Sequence, residues 1–248
     1  MSQQTLHHTK GIVLRSVKYG ETSLIVTIFT ELFGTQSYMV NGVRSSKGKQ
    51  GAKAQFFQPA SILDLIVYHN EFKSLNRIKE YKWSVLYKDM VFDVVKHNVA
   101  LFMVELLQKT LKQPDPNAEL FYFIEDAFIH LDSADRVILS HFPIFFATHL
   151  TYFFGFRISD TYDELHSILD LQEGQFVEEA PLHAHHIGAP LSRQISKLLK
   201  AGHPEDLHEL MFSGVDRRGI LQACLLFYSL HVEDFGTMKT VSVLQEVL

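Results

Sequence analysis

The chain has 248 residues, of which 46% are hydrophobic and 21% charged, with a formal net charge of −5 and one cysteine. This composition excludes a wholly disordered chain, and the length admits one large domain or two ordinary ones, either able to bury a sizeable core. A lone Cys224 excludes an internal disulfide and a multi-cysteine zinc site, as befits a reducing compartment.

MSQQTLHHTK lacks the apolar stretch of a secretory signal, so a cytoplasmic location is expected. Five short β-rich runs follow between Gly11 and Trp83: GIVLRSVKYG, SLIVTIFT, TQSYMVNGV, ASILDLIVYH and SLNRIKEYKW. In the second, Leu24, Val26 and Ile28 alternate with Ile25, Thr27 and Phe29 at period two. Tyr19-Gly20-Glu21 and Phe33-Gly34-Thr35 punctuate the runs as turns. Closely spaced strands of this kind predict a small closed barrel, which removes exposed sheet edges. An SH3-like barrel or a small open sheet fits the same pattern. The connection from Asn41 to Gln58 is too long for a tight hairpin and reads as a mobile, functional loop.

After Trp83 the period changes. Val85, Tyr87, Met90, Val91, Val94, Val95, Val99, Phe102, Met103, Leu106 and Leu107 recur mostly three or four apart, predicting one long amphipathic helix. Prolines 114 and 116 end it, and Asn117 is placed to cap the next, NAELFYFIEDAFIHLD. A third helix, ADRVILSHFPIFFATHLTYFFG, overlaps a stretch from Val137 to Phe156 that carries no charge between Arg136 and Arg157. Its histidines, proline and hydroxyls argue for a buried helix rather than a membrane span. Its aromatic cluster is read as core. PLSRQISKLLKAG, PEDLHELMF and DRRGILQACLLFYSLHVEDFG complete a helical bundle. Before them, between Gly155 and Pro190, the helical pattern fails and the chain reads as irregular structure with one hairpin.

The net charge hides an asymmetry. Residues 1–82 hold 11 basic and 5 acidic side chains, a net of +6, against −11 for residues 83–248, so a basic module precedes an acidic one. Leu32 to Leu63 contains no acid. A region of this kind attracts polyanions, although a solvated face gives the same counts. Phosphate binding needs cations spaced along a groove. The candidates are Arg15 and Lys18 on the first strand, Arg44, Lys47, Lys49 and Lys53 in the loop, and Lys73, Arg77 and Lys79 on the last strand. The last three all fall at odd-numbered positions, an even number of residues apart, which on one strand keeps them on one sheet face. Tyr19, Tyr38, Phe56, Phe57, Tyr68 and Phe72 are candidate stacking platforms for bases, with core packing the competing reading for the phenylalanines and Tyr38. No H-E-x-x-H, G-x-S-x-G or P-loop pattern occurs, so a non-enzymatic DNA-binding protein is expected, with no cofactor. The alternative is a protein-interaction adaptor whose basic barrel docks an acidic peptide.

GIVLRSVKYGETSLIVTIFTELFGTQSYMVNGVRSSKGK resembles the opening of the RecO family of recombinational repair proteins. The likeness continues through Phe56-Phe57-Gln58-Pro59, and more loosely through Phe154-Gly155-Phe156 to HVEDFGTMKT. It implies an α+β chain, with an N-terminal OB-fold over residues 1–82 and a helical domain over residues 83–248. It also implies a nucleoid-associated mediator that binds single- and double-stranded DNA, anneals complementary strands and helps load RecA. The partners would be RecR and the C-terminal tail of single-stranded DNA-binding protein, with no membrane. Such a tail needs an apolar pocket and cations for its carboxylates. Arg136, Arg157, Arg217 and Arg218 are the candidates. One departure matters: many members carry a four-cysteine zinc module near residues 157–190, where this chain has no cysteine. A metal-free hairpin around Leu169 to Val177 is expected in its place. His166, His183, His185 and His186 offer imidazoles without a zinc spacing.

Overall fold

The computed structural model describes residues 5–43 and 48–247, without the side chains of residues 48–52. Five strands, β1 (Thr5–Tyr19), β2 (Ser23–Thr30), β3 (Gly34–Val40), β4 (Ile62–His69) and β5 (Asn76–Trp83), close into a barrel in the order β1-β2-β3-β5-β4. This settles the choice between a closed barrel and an open sheet.

β1 is long enough to serve two neighbours. Thr5 to Ile12 pair antiparallel with β4, and Gly11 to Tyr19 with β2. The register slips between Val13 and Arg15, a bulge of the kind that bends a strand around a barrel. Gly11 sits where both pairings overlap. A Cβ there would lie 2.6 Å from Ile28 and 2.8 Å from Leu65, so a larger residue would have to displace core side chains. A short parallel pairing, Tyr38 with Asn76 and Met39 with Arg77, closes the ring. The alternation read in β2 points Leu24, Val26 and Ile28 inward, against Val13, Tyr38, Leu63, Leu65 and Val67. The connection after β3 is not simply an open loop: Gly48–Phe57 forms a 3-10 stretch that ends with Phe57 in the barrel core.

The expected helix from Val85 begins later, as α1 (Val94–Thr110). Two carboxylates explain the delay. Asp132 accepts from the amides of Lys88, Asp89 and Met90 at 2.7–2.9 Å, holding that segment as a turn. Asp93 accepts from Val95 and Lys96 at 2.8 and 3.0 Å, the signature of an N-cap. Asn117 caps α2 (Ala118–Ser133) through the Leu120 amide at 2.9 Å, as the sequence predicts.

The chain divides into two compact units, residues 1–92 with 107–132, and residues 93–106 with 133–248. In the second, α3 (Arg136–Leu150), α4 (Leu191–Lys200), α5 (Gly214–His231) and α6 (Thr240–Val247) form the helical framework. Asp135 caps α3 by accepting from Val137 and Ile138. Phe142, Phe146 and Leu150 of α3 are fully buried, and Tyr228 of α5 donates to the Ala147 carbonyl at 2.8 Å. The stretch Arg136–Phe154 is apolar and long enough to cross a membrane, with a mean hydropathy of 1.4, yet 61% of its apolar window is buried inside the protein. PEDLHELMF, expected as α-helix, is a 3-10 helix over Pro204–Glu209. The final helix α6 has no counterpart in the sequence reading. The Glu105 carboxylate holds its start, accepting from the Lys239 and Thr240 amides at 2.8 Å and the Thr240 hydroxyl at 2.6 Å.

The 157–190 segment contains the expected hairpin and one strand more. β6 (Ile168–Asp170), β7 (Gln175–Val177) and β8 (His186–Ile187) form a sheet in the order β7-β6-β8.

Candidate nucleic-acid interface

Arg15 and Lys18 are exposed on the second half of β1, opposite Thr27 and Leu24 of β2. Arg77 and Lys79 are exposed on β5, and Lys53 on the 3-10 stretch. Arg44 and Lys47 lie outside the described residues, as does the Lys49 side chain. The expectation of one face for Lys73, Arg77 and Lys79 needs correction. Lys73 precedes β5, in a turn where its amide donates to the Asn70 carbonyl at 3.1 Å. Within β5 the pairing with β4 skips Lys79, since Glu80 faces Ile66 and Ile78 faces Val67. The bulge turns both Lys79 and Glu80 to solvent, with the Lys79 ammonium 3.5 Å from Glu80.

One cation of the basic module is engaged elsewhere. The Lys10 ammonium contacts both oxygens of the buried Glu125, at 2.9 and 3.0 Å. The hydrogen bond to Glu125 is the main reason the Lys10 pKa lies above its ordinary value.

The aromatic candidates separate by burial. Tyr38 was a stacking candidate, but its ring is fully buried in the barrel core and unavailable to a base. Burial pushes its phenol pKa well up. Its position follows from strand parity, because Tyr38 and Val40 point inward from β3. Phe57 is buried too, and Phe56 stacks on Trp83 with ring centroids 4.5 Å apart. Tyr19 and Phe72 are exposed, at 51% and 94%. Tyr68 lines a cleft with Met39, Lys73, Leu75, Asn76 and Arg77, which places an aromatic ring beside two cations. Sequence reasoning overlooked Phe33 and His69, which stack at 3.8 Å. No sequence period marks this pair, because its members come from a turn and from the end of β4.

In the helical unit, Arg217 and Arg218 share one cleft with Ser140, Pro143 and Ile144 of α3, Leu221 of α5 and Leu244 of α6. Ser213 caps α5 by accepting from the Asp216 amide, while the Asp216 carboxylate accepts from the Ser213 amide. Arg217 donates to the Phe212 carbonyl at 2.9 Å, which fixes its direction. The other two arginines do not join them. Arg136 is exposed at the first residue of α3, and Arg157 lines a separate cleft with His149, Tyr152 and Asp160. The Arg157 guanidinium lies 5.6 Å from the Tyr152 ring centroid, a cation–π contact.

Among the described residues, no group of three or more His, Cys, Asp or Glu side chains is placed to hold a metal ion. His183 lies 3.3 Å from Asp170, whose other oxygen accepts from the Gln172 amide. His166 pairs with Asp163 instead. Cys224 is buried in α5, 3.3 Å from the Thr148 hydroxyl, and burial pushes its thiol up to about 11, so it is held as the neutral thiol at pH 7.

A five-stranded closed barrel of OB type, followed by a helical unit, defines the class of the chain. Two family patterns match in tandem: "Recombination protein O N terminal" over residues 1–87 and "Recombination protein O C terminal" over residues 92–240. The chain belongs to the RecO family of DNA repair proteins. It is similar to the DNA repair protein RecO of Flavobacterium johnsoniae, with 31% identity covering 96% of this chain and 98% of that one. The corresponding proteins of Phocaeicola vulgatus and Azobacteroides pseudotrichonymphae share 30% and 28% identity, covering 98% of this chain and 99% of theirs.

Proposed function

We propose that this chain is a cytoplasmic repair mediator without catalytic chemistry of its own. Its barrel module, residues 1–82, binds single- and double-stranded DNA and anneals complementary strands, and the protein assists RecA loading together with RecR. The observation that carries the reading is the set of exposed cations Arg15, Lys18, Lys53, Lys73, Arg77 and Lys79 on a barrel that also exposes Tyr19 and Phe72. Lysine and arginine neutralise phosphates whatever the sequence, and exposed rings stack on unpaired bases. Family membership supports the repair role.

The helical unit receives the acidic, phenylalanine-ended tail of single-stranded DNA-binding protein. Arg217 and Arg218 supply cations at the rim of a cleft whose apolar wall is Pro143, Ile144, Leu221 and Leu244. Arg136 and Arg157 are not among the residues lining this cleft.

One assay separates the two roles: annealing of complementary oligonucleotides, bare or coated with single-stranded DNA-binding protein. Reversing Arg15, Lys18 and Arg77 to glutamate is expected to suppress annealing in both forms. Arg217→Ala with Arg218→Ala is expected to suppress it on coated strands alone, because each lost charge-assisted contact costs the tail interaction about 1.5–3 kcal/mol. Full annealing of coated strands by the double alanine variant would remove the tail from this cleft. Undiminished annealing by the charge-reversed barrel would remove DNA from the barrel.

A further inference from the structure

We propose that the groove beside the β4–β5 turn is a stacking site for an unpaired DNA base, with the exposed Phe72 ring as one platform and the Phe33–His69 pair as the other. The proposal rests on the DNA-binding reading above and deepens it, by saying where a single strand departs from a duplex in its contacts. The groove lies within the barrel unit. Phe33, Gln36, His69, Phe72, Lys73 and Lys112 are among the residues lining it.

Three observations converge there. Phe72 is 94% exposed in a turn whose backbone is tied down. Its amide donates to the Asn70 side chain at 2.9 Å, and the Asn70 amide donates to the Asn76 side chain at 3.1 Å. The turn thus presents an aromatic ring to solvent from an anchored base. A single exposed apolar side chain is ordinary, so the ring alone carries little weight. The second observation is the Phe33–His69 stack, 14° from parallel, braced edge-on by His7 at 5.1 Å from Phe33. Burial, and then the neighbouring His7, lower the His69 pKa, so this ring stays neutral at pH 7 and acts as a π surface rather than a cation. The third is charge. Lys73 and Lys112 line the groove against one acid, Glu71, and Lys73 also lines the adjoining cleft of Tyr68 and Arg77. Phosphates on either side of a stacked base would therefore meet cations.

Stacking on an aromatic ring requires a base that is not already stacked in a helix, and it is tolerant of sequence because every base has a π face. The Gln36 amide is already engaged, donating to the Phe33 carbonyl at 2.8 Å. The groove consequently favours single strands over duplexes, whose bases are already stacked.

The test compares full-length wild type with Phe72→Ala, by fluorescence anisotropy, on labelled oligothymidylate and on a duplex of equal length at one low salt concentration. Because the ring is exposed, its removal leaves the core intact. Single-strand affinity is expected to fall about tenfold, within the range for loss of one stacked base. Duplex affinity should stay within about twofold, and Phe72→Trp should restore single-strand binding. Wild-type single-strand affinity in Phe72→Ala would overturn the groove while leaving DNA binding in place. Equal losses on both substrates would also overturn it, since a stacking site discriminates between them. Absence of DNA binding by the wild type would overturn the underlying reading as well.

Discussion

Replacing Gly34 with alanine is expected to destabilise the barrel unit by roughly 2–5 kcal/mol. Gly34 begins β3 with φ +61°, a left-handed conformation that adds about 1–2 kcal/mol for any residue with a Cβ. That Cβ would also run into the backbone of Asp115 and lie 2.8 Å from the carbonyl carbon of Pro114. Both are main chain, so relief requires moving the segment between α1 and α2, and overpacking of this kind adds about 1–3 kcal/mol. Gly20 supplies the control. It has φ +58° in the β1–β2 turn, but nothing lies within 4 Å of its hypothetical Cβ. Gly20→Ala should therefore show the backbone component alone, about 1–2 kcal/mol. Chemical denaturation of both variants measures the difference, and equal losses would refute a close approach at Gly34.

The second large effect concerns the ion pair between β1 and α2. Lys10→Met is expected to destabilise the protein by about 3 kcal/mol, because it leaves the Glu125 carboxylate buried at 5% exposure without its partner. Partial exposure of Lys10, at 33%, places the effect at the low end of the range for buried pairs. Lys10→Met combined with Glu125→Leu should recover most of the loss, since removing both charges also removes the desolvation penalty. A double variant as unstable as the single one would show that the pair contributes through something other than charge compensation. The pH dependence has a definite sign. With its folded pKa above the ordinary 10.5, Lys10 contributes stability that is complete below pH 10.5 and is lost as pH rises through the folded value.

Much of the architecture was legible because it is written in periodicity. Alternation in β2 and the turn glycines marked the barrel strands, and Pro114, Pro116 and Asn117 marked the gap before α2. What escaped depends on contacts remote in sequence. The apolar spacing from Val85 to Leu107 looks helical throughout, yet Asp132, more than forty residues away, collects the amides of residues 88–90 and keeps them out of the helix. Helix α6 is short, and its start is fixed by Glu105 of α1 rather than by a neighbouring cap. The candidate site was legible in composition and less so in geometry. Charge counting pointed to the barrel, but the bulge at Lys79 and the position of Lys73 before β5 broke the expected single face. Tyr38 was lost as a stacking platform because its parity on β3 directs it inward. Of four arginines scattered over the helical unit, folding unites two in one cleft, a result set by the packing of α3, α5 and α6 rather than by any spacing in the chain.

The central claim is that the exposed cations of the barrel bind DNA phosphates. Its most direct test is the affinity for a single-stranded oligonucleotide across a salt series, comparing wild type with a variant in which Arg15, Lys18 and Arg77 are changed to glutamate. Each full phosphate contact contributes about 0.7 to the slope of log affinity against log salt for single strands. Loss of three should therefore flatten the slope by about two units and weaken binding most at low salt. A variant whose slope and affinity match the wild type would contradict the claim and move the DNA to another surface.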